Sequence, residues 1–367
     1  MGAGQCQPEF LRGDKMSLDK EYCFRRLDTL WRREDIPVLE LKGNKYILFS
    51  DLHLGDGGKA DDFCENEETL MIALAYYLER GFKLILVGDI EELWQFGLEE
   101  VRSRYFPTIY KAFRKFADSH RFRLYGNHDG DWNKPFVDPS RANPVQLGIA
   151  LEAMKMKDAD GNVRILICHG HQGDIESDRE AWTSRIVVRL YRLVEPFLRK
   201  IGKTNPPAIK SQIITSHEKI FYQWAKRNKV LIICGHTHRA IFASLSFLEK
   251  CQKNLAQAKE SIKRTGQTEE QIEQLRSDIR DLKRKIRKEK KKGRKIDSVE
   301  PGKHPRPNYF NTGCGIYEDG ITGIELANDR ITLVKWHRDP DHPEQKPYMK
   351  SYGDADLNDV LQLIAAP

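Results

Sequence analysis

Five short segments carry residue types that bind metal ions and move protons: Asp51-Leu52-His53, Gly88-Asp89, Gly126-Asn127-His128-Asp129, His169-Gly170-His171 and Gly235-His236-Thr237-His238. Their carboxylates, amide and imidazoles form a mixed oxygen and nitrogen donor set of the kind that takes divalent ions. Hydrolysing a phosphoester near neutral pH needs an activated water and neutralisation of charge on phosphorus. Two divalent ions about 3.5–4 Å apart supply both, provided one carboxylate joins them and the donors sit on rigid turns. Asp51, His53, Asp89, Asn127, His169, His236 and His238 make a complete set for that chemistry. Taken singly, each segment is ambiguous. An Asp-x-His pair arises by chance, Gly-Asp is a common turn, Asn-His-Asp can cap a helix, and a lone buried histidine is more often structural than ligating. Their recurrence in order, each at the same kind of place in the chain, favours chemistry over coincidence.

That place is the end of an apolar, strand-like run. Lys45–Ser50 leads into Asp51, Lys83–Val87 into Asp89, Arg121–Tyr125 into Asn127, Arg164–Cys168 into His169, and Val230–Cys234 into His236. Short continuous runs of this kind are expected of strands buried on both faces. Helical patterns fall between them, at Asn66–Arg80, Glu99–Ser119 and Pro144–Met154. Alternating strands and helices imply an α/β architecture, in which reactive groups gather at the carboxyl ends of strands. Beyond His238 the chain is richer in strands: Ala240–Phe247, Asn308–Thr312, Gly315–Leu326 and Arg330–Trp336, with Asn328-Asp329 as a hairpin turn. The expectation is a mostly parallel first sheet and a second, more antiparallel one, packed face to face with helices outside.

Two segments interrupt this body. In 178–229, Trp182, Ile186, Leu190, Leu193, Phe197 and Ile201 recur at helical spacing, with Arg185, Arg189, Arg192 and Arg199 largely off that stripe. Pro196 should kink or divide the helix, and a second helix follows Pro207 to about Asn228. The segment reads either as a helical pair packed on the core or as a helical lid over the site. In 247–303, Leu248, Cys251, Leu255, Ala258 and Ile262, and then Ile272, Leu275, Ile279, Leu282 and Ile286, follow a 3-4 spacing, with a capping box at Thr268-x-x-Gln271. Nearly all other positions are polar, which predicts an inserted antiparallel coiled-coil hairpin rather than two core helices. The remaining organisation is a leader and helix over 1–40, the main body over 41–246 and 304–345, and a tail over 346–367.

Composition sets outer limits. Hydrophobic residues make up 40% of 367 and charged residues 31%, which suits a soluble globular body with extra surface charge. The formal charge of +7 comes from one stretch: Lys283–Lys295 holds ten Lys or Arg against one Glu, more than the whole excess. No apolar run approaches a membrane span, and the first residues lack a hydrophobic signal core. Seven cysteines without CxxC spacing, two of them closing apolar runs (Cys168 and Cys234), fit reduced thiols in a cytoplasmic protein.

The motif series DLH, GD, GNHD, HG and GHTH resembles the calcineurin-like metallophosphoesterase superfamily over about Tyr46 to Trp336, outside the 247–303 insertion. The resemblance implies a four-layer α-β-β-α sandwich of two mixed sheets. It implies that Asp51, His53 and His238 bind one metal, that Asn127, His169 and His236 bind another, and that Asp89 bridges them. The ions implied are Mn²⁺, with Fe or Zn as alternatives. His128 takes the part of general acid, Asp129 orients it, and His171 stands behind the ligands. Within the superfamily, Gly88-Asp89-Ile90-Glu91-Glu92-Leu93-Trp94 is similar to the Gly-Asp-x-x-Glu-x-Trp of the UDP-2,3-diacylglucosamine pyrophosphohydrolase branch, which also carries a helical lid before GHTH. That likeness implies substrate contacts from Glu92, Trp94, Arg185, Arg189 and Arg192. The chain departs from the branch at His128, where the branch usually has Arg, and in having the 247–303 insertion.

The function expected is therefore hydrolysis of a phosphodiester or pyrophosphate, with a UDP-linked lipid precursor as one substrate reading. A nuclease of the same superfamily is the alternative, with 283–295 contacting nucleic acid. Against it, no aromatic residue occurs between 248 and 303 to stack on bases. A third reading is a scaffold in which 247–303 docks a protein partner or self-associates. Peripheral membrane contact stays open as well.

Overall fold

The computed structural model describes residues 19–130, 150–173, 207–263, 268–291 and 305–366. In chain order its strands are β1 (Val38–Glu40), β2 (Tyr46–Phe49), β3 (Lys83–Val87), β4 (Arg121–Leu124), β5 (Ala153–Lys157), β6 (Val163–Cys168) and β7 (Leu231–Cys234). Then follow β8 (Ala240–Phe242), β9 (Leu245–Ser246), β10 (Tyr309–Thr312), β11 (Gly320–Ala327), β12 (Arg330–His337) and β13 (Tyr348–Asp356). The helices are α1 (Lys20–Arg32), α2 (Glu67–Glu79), α3 (Leu98–Tyr105), α4 (Lys111–Arg114), α5 (Pro207–Asn228), α6 (Phe247–Ile262), α7 (Glu269–Lys291) and α8 (Leu357–Ala365).

The strands form two mixed sheets, ordered β13-β12-β11-β2-β3-β4 and β1-β5-β6-β7-β10-β8-β9. Side-chain alternation along the central strands builds the layers. Ile47 and Phe49 of β2, with Leu84 and Leu86 of β3, face α2 and the helices after it. Their neighbours Tyr46, Leu48, Ile85 and Val87 face the opposite sheet, where Ile165, Ile167, Leu231 and Ile233 meet them. On the far side, Leu166, Ile232 and Cys234 pack against α1 and α5. The result is a four-layer α-β-β-α sandwich. Strands buried on both faces need apolar residues at every position, which is why the runs were legible. Each such Leu, Ile or Val contributes about 1.5–3 kcal/mol on burial.

Several expectations are corrected. The sheets do not divide the chain into a parallel first half and an antiparallel second half. β2, β3 and β4 run parallel, but β2 pairs antiparallel with β11 from the far end of the chain. β6 and β7 lie in the other sheet, where β10 joins them. Most of the helix expected over Pro144–Met154 lies outside the described residues, and its last part is not helical, since Ala153 and Met154 open β5, buried on both faces. The helix expected over Glu99–Ser119 runs from Leu98 to Arg114, but Pro107 lacks an amide hydrogen, and Phe106–Tyr110 widens into a π-helical stretch between α3 and α4. The segment 346–367 is no tail. It supplies edge strand β13 and α8, whose Leu357, Val360, Leu361 and Ile364 are buried in the inter-sheet core.

The described half of 178–229 is a wall of the sandwich, not a cover over the site. Phe221, Tyr222, Trp224 and Ala225 of α5 are fully buried or nearly so. Trp224 Nε1 donates to Asp28 of α1 at 2.8 Å, and the Trp224 ring meets Trp31 edge-on at 6.3 Å. Arg185, Arg189, Arg192 and the first helix of this segment lie outside the described residues. α6 and α7 pack against each other, and Leu248 and Cys251 root the pair in the body. The Thr268–Gln271 capping box forms, with Thr268 N donating to Gln271 Oε1 at 3.1 Å and Gln271 N to Thr268 Oγ1 at 3.2 Å.

Candidate metal centre

The five motif turns meet at the carboxyl ends of β2, β3, β4, β6 and β7. Backbone hydrogen bonds lace the first two together, Asp51 N to Gly88 O and His53 N to Asp89 O, each at 3.1 Å. Five of the seven predicted donors adopt left-handed backbone: Asp51, His53 and Asp89 at φ 51°, His236 at 68° and His238 at 57°. Such conformations cost about 1 kcal/mol or more each in non-glycine residues, and persist where surrounding structure enforces them. Here they turn the side chains off the strand ends toward one point.

Asp51, His53 and His238 form one cluster of donor atoms, and Asp89, His169 and His236 another. Asp89 also joins His53 and His128 in a third, so it stands between the two sides. His238 Nε2 lies 3.2 Å from Asp51 Oδ1, and His169 Nε2 lies 3.1 Å from Asp89 Oδ2. His53 Nε2 is 3.9 Å from Asp89 Oδ2 and 3.1 Å from His238 Nε2. Imidazole nitrogens converging on carboxylates at this spacing are a donor set for cations. Asn127 Oδ1 is buried and accepts no hydrogen bond among the described residues, as a ligand oxygen would when its ion is absent. Close approach is built in: a Cβ on Gly126 would fall 2.1 Å from Asp89 Oδ1, and one on Gly235 2.3 Å from Asp51 Oδ2. The residues present therefore fit divalent ions.

Outer hydrogen bonds fix the rings. His169 Nδ1 donates to Val87 O at 2.8 Å, leaving Nε2 to ligate. His53 Nδ1 meets Glu92 Oε2 at 2.7 Å, while Glu92 Oε1 meets His128 Nδ1 at 2.8 Å. His128 also stacks on Trp94, ring centroids 4.1 Å apart, and Trp94 Nε1 donates to Asn127 O at 2.8 Å. Glu92 and Trp94, expected at the substrate, grip His53, His128 and the Asn127 backbone. One expectation changes here. The carboxylate that orients His128 is Glu92 and not Asp129. Asp129 is fully buried and turned inward, accepting from Gly126 N at 2.6 Å, Ile90 N at 3.0 Å and Arg123 Nη2 at 3.0 Å. Arg123 also forms a forked pair with Glu91, to which Tyr110 donates at 2.8 Å.

The electrostatics follow from burial against charge. Burial disfavours the imidazolium of His53, yet Glu92 outweighs it and raises the group to about 9. Burial acts likewise on His169, and Asp89 and Asp51 raise it to about 10. Burial, with His169 and His217 nearby, holds His236 well below its usual range, and burial lowers His238 despite Asp51. Burial opposes ionisation of Glu92, but His128 and His53 bring it down to about 2. Burial lifts Asp129 to about 6 against the pull of Arg123. A cation would complete this balance by displacing the protons on His53 and His169.

His171 is buried beside His169, ring centroids 5.5 Å apart. Sequence reasoning missed Glu91 and Arg123, which lie in the turn after β3 and in β4. It also missed His217, whose ring lies 5.3 Å from His236, and Glu218, since neither stands out in an amphipathic helix. Among the described residues, no helix is long and apolar enough to cross a membrane.

Comparison with known proteins agrees with this geometry. No curated protein matches the chain. The family model for the calcineurin-like phosphoesterase matches residues 45–240, more than half of the chain, and spans all five motif turns. The chain belongs to the calcineurin-like phosphoesterase family and is a metal-dependent phosphoesterase whose His and Asp clusters are candidate sites for divalent ions.

Proposed function

We propose that the protein hydrolyses a phosphodiester or pyrophosphate at a dinuclear centre. Asp51, His53 and His238 hold one ion; Asn127, His169 and His236 hold the other; Asp89 is shared. The observation that carries the reading is the position of Asp89, common to donor groups on both sides. When bound, the ion pair supplies an activated water and charge neutralisation at phosphorus. Mn²⁺ suits the donor set, and Fe or Zn would also fit it.

The chain's own residues do the rest. Glu92 spans His53 and His128, so one carboxylate sets a ligand and the proton donor in fixed relation. With Nδ1 engaged by Glu92, His128 presents Nε2 as the atom that gives a proton to the leaving oxygen. Stacking on Trp94 keeps the ring from rotating away. His128→Ala should lower turnover of bis(p-nitrophenyl) phosphate by about 10²–10⁴, the usual range for a general acid, with metal content unchanged. Loss of metal together with activity would mean that His128 is a ligand.

For the substrate, a UDP-linked lipid precursor rests on the Gly88–Trp94 motif and on the helical segment before GHTH, whose first part lies outside the described residues. A screen of phosphomonoesters, phosphodiesters, pyrophosphates and nucleic acids with Mn²⁺ decides; exclusive turnover of monoesters would contradict the class proposed. We read α6 and α7 as an antiparallel coiled coil carrying a contact surface. In support, Leu255, Ile262, Ile272, Leu275, Ile279, Leu282 and Ile286 are half-buried between exposed polar positions.

A further inference from the structure

The turn that carries His236 and His238 is held from behind by a buried acid on α5, the helix that leads into β7. Glu218 of α5 is fully buried. Its Oε1 accepts from Thr237 Oγ1 at 2.8 Å and its Oε2 from Arg239 Nη1 at 2.9 Å. Thr237 and Arg239 are the residues on either side of His238. Thr237 Oγ1 in turn accepts from Asn311 Nδ2 at 3.1 Å, and the same amide donates to Gly235 O at 2.6 Å. A chain of hydrogen bonds thus runs from β10 through the turn to α5. It closes around two histidines with left-handed backbone, at φ 68° and 57°. Strained turns of this kind hold their shape only while neighbours enforce it. An ionised acceptor does so more strongly than a neutral one.

We propose that Glu218 is a positioning residue for the metal centre, acting through Thr237 and Arg239 on His238, so that docking of α5 completes the site formed by Asp51, His53 and His238. This rests on the two-metal reading above. It also gives the described half of 178–229 a role other than closing over substrate. α5 is fixed to α1 by Trp224 and to the metal turn by Glu218. Whatever binds at the centre meets α5 as a preformed wall, with His217, stacked on Phe221 at 4.4 Å, next to His236.

The test is titration of the full-length, metal-free protein with Mn²⁺, followed by the loss of free-ion electron paramagnetic resonance. The wild type should bind two ions. Glu218→Ala should keep one affinity within about twofold and weaken the other by about tenfold or more, the range seen when outer-shell partners of metal ligands are removed. His238→Ala should weaken the same ion, and Glu218→Gln, which keeps one acceptor, should fall between Ala and wild type. Should Glu218→Ala fail to fold, Thr237→Val removes one of the same hydrogen bonds without disturbing the charge, and should weaken that ion as well. Two unchanged affinities in Glu218→Ala, or in Thr237→Val if only that variant folds, overturn the role of Glu218 while leaving the dinuclear centre intact. Equal weakening of both ions overturns it too, by pointing to general loosening. A wild type that takes up fewer than two ions contradicts the dinuclear reading itself, and this inference with it.

Discussion

His53 and His169 set the pH behaviour of the centre. In the metal-free protein they titrate near 9 and 10, so both carry protons at neutral pH. An ion needs the neutral ring, and binding below about pH 9 must expel these protons. Affinity should fall as pH falls, by about tenfold per unit for each proton displaced. His236 and His238 are held below their usual range and add nothing to this dependence at neutral pH. Calorimetric titration with Mn²⁺ at pH 6 and pH 8 checks it: weaker binding at pH 6, with about two protons released at either pH, agrees, and equal affinities do not. Arg123 tests the support beneath. Its guanidinium is wholly buried between Glu91 and Asp129. Arg123→Met would strand two carboxylates, and should cost about 3–5 kcal/mol in denaturant unfolding. A loss under about 1 kcal/mol would show that the network is not holding the turn.

The elements explain which of these residues could be read in advance. β2, β3, β6 and β7 are buried on both faces, so their apolar runs are unbroken and the ligand turns after them stand out. β5 was hidden because Lys155 and Lys157 interrupt the run, although Lys155 reaches out to the Arg33 carbonyl at 2.7 Å. β13 was hidden because an edge strand carries polar residues on its open side. Asp129 shows the limit of reading roles from adjacency. It follows His128 in the chain, yet Gly126 N, Ile90 N and Arg123 draw it inward, and Glu92, far off in sequence, takes the place beside His128. The helix pair α6 and α7 was legible from its 3-4 spacing and capping box. Among its described residues, only the root, Leu248 and Cys251, is buried in the body. Replacing 254–303 with a short Gly-Ser linker should leave hydrolysis of bis(p-nitrophenyl) phosphate within about twofold. A collapse of that activity would tie the pair to catalysis.

At the scale of the molecule, two mixed sheets bring turns from distant parts of the chain to one rim. β2 and β3 supply Asp51, His53 and Asp89 from one sheet, and β6 and β7 supply His169, His236 and His238 from the other. The centre therefore lies across the seam between the sheets, and Asp89 is the residue that spans it. The most direct measurement is electron paramagnetic resonance of protein loaded with two equivalents of Mn²⁺. An exchange-coupled dinuclear spectrum that collapses to isolated ions in Asp89→Asn is the predicted result. Uncoupled mononuclear Mn²⁺ in the wild type would contradict a shared Asp89, and with it the account of this site.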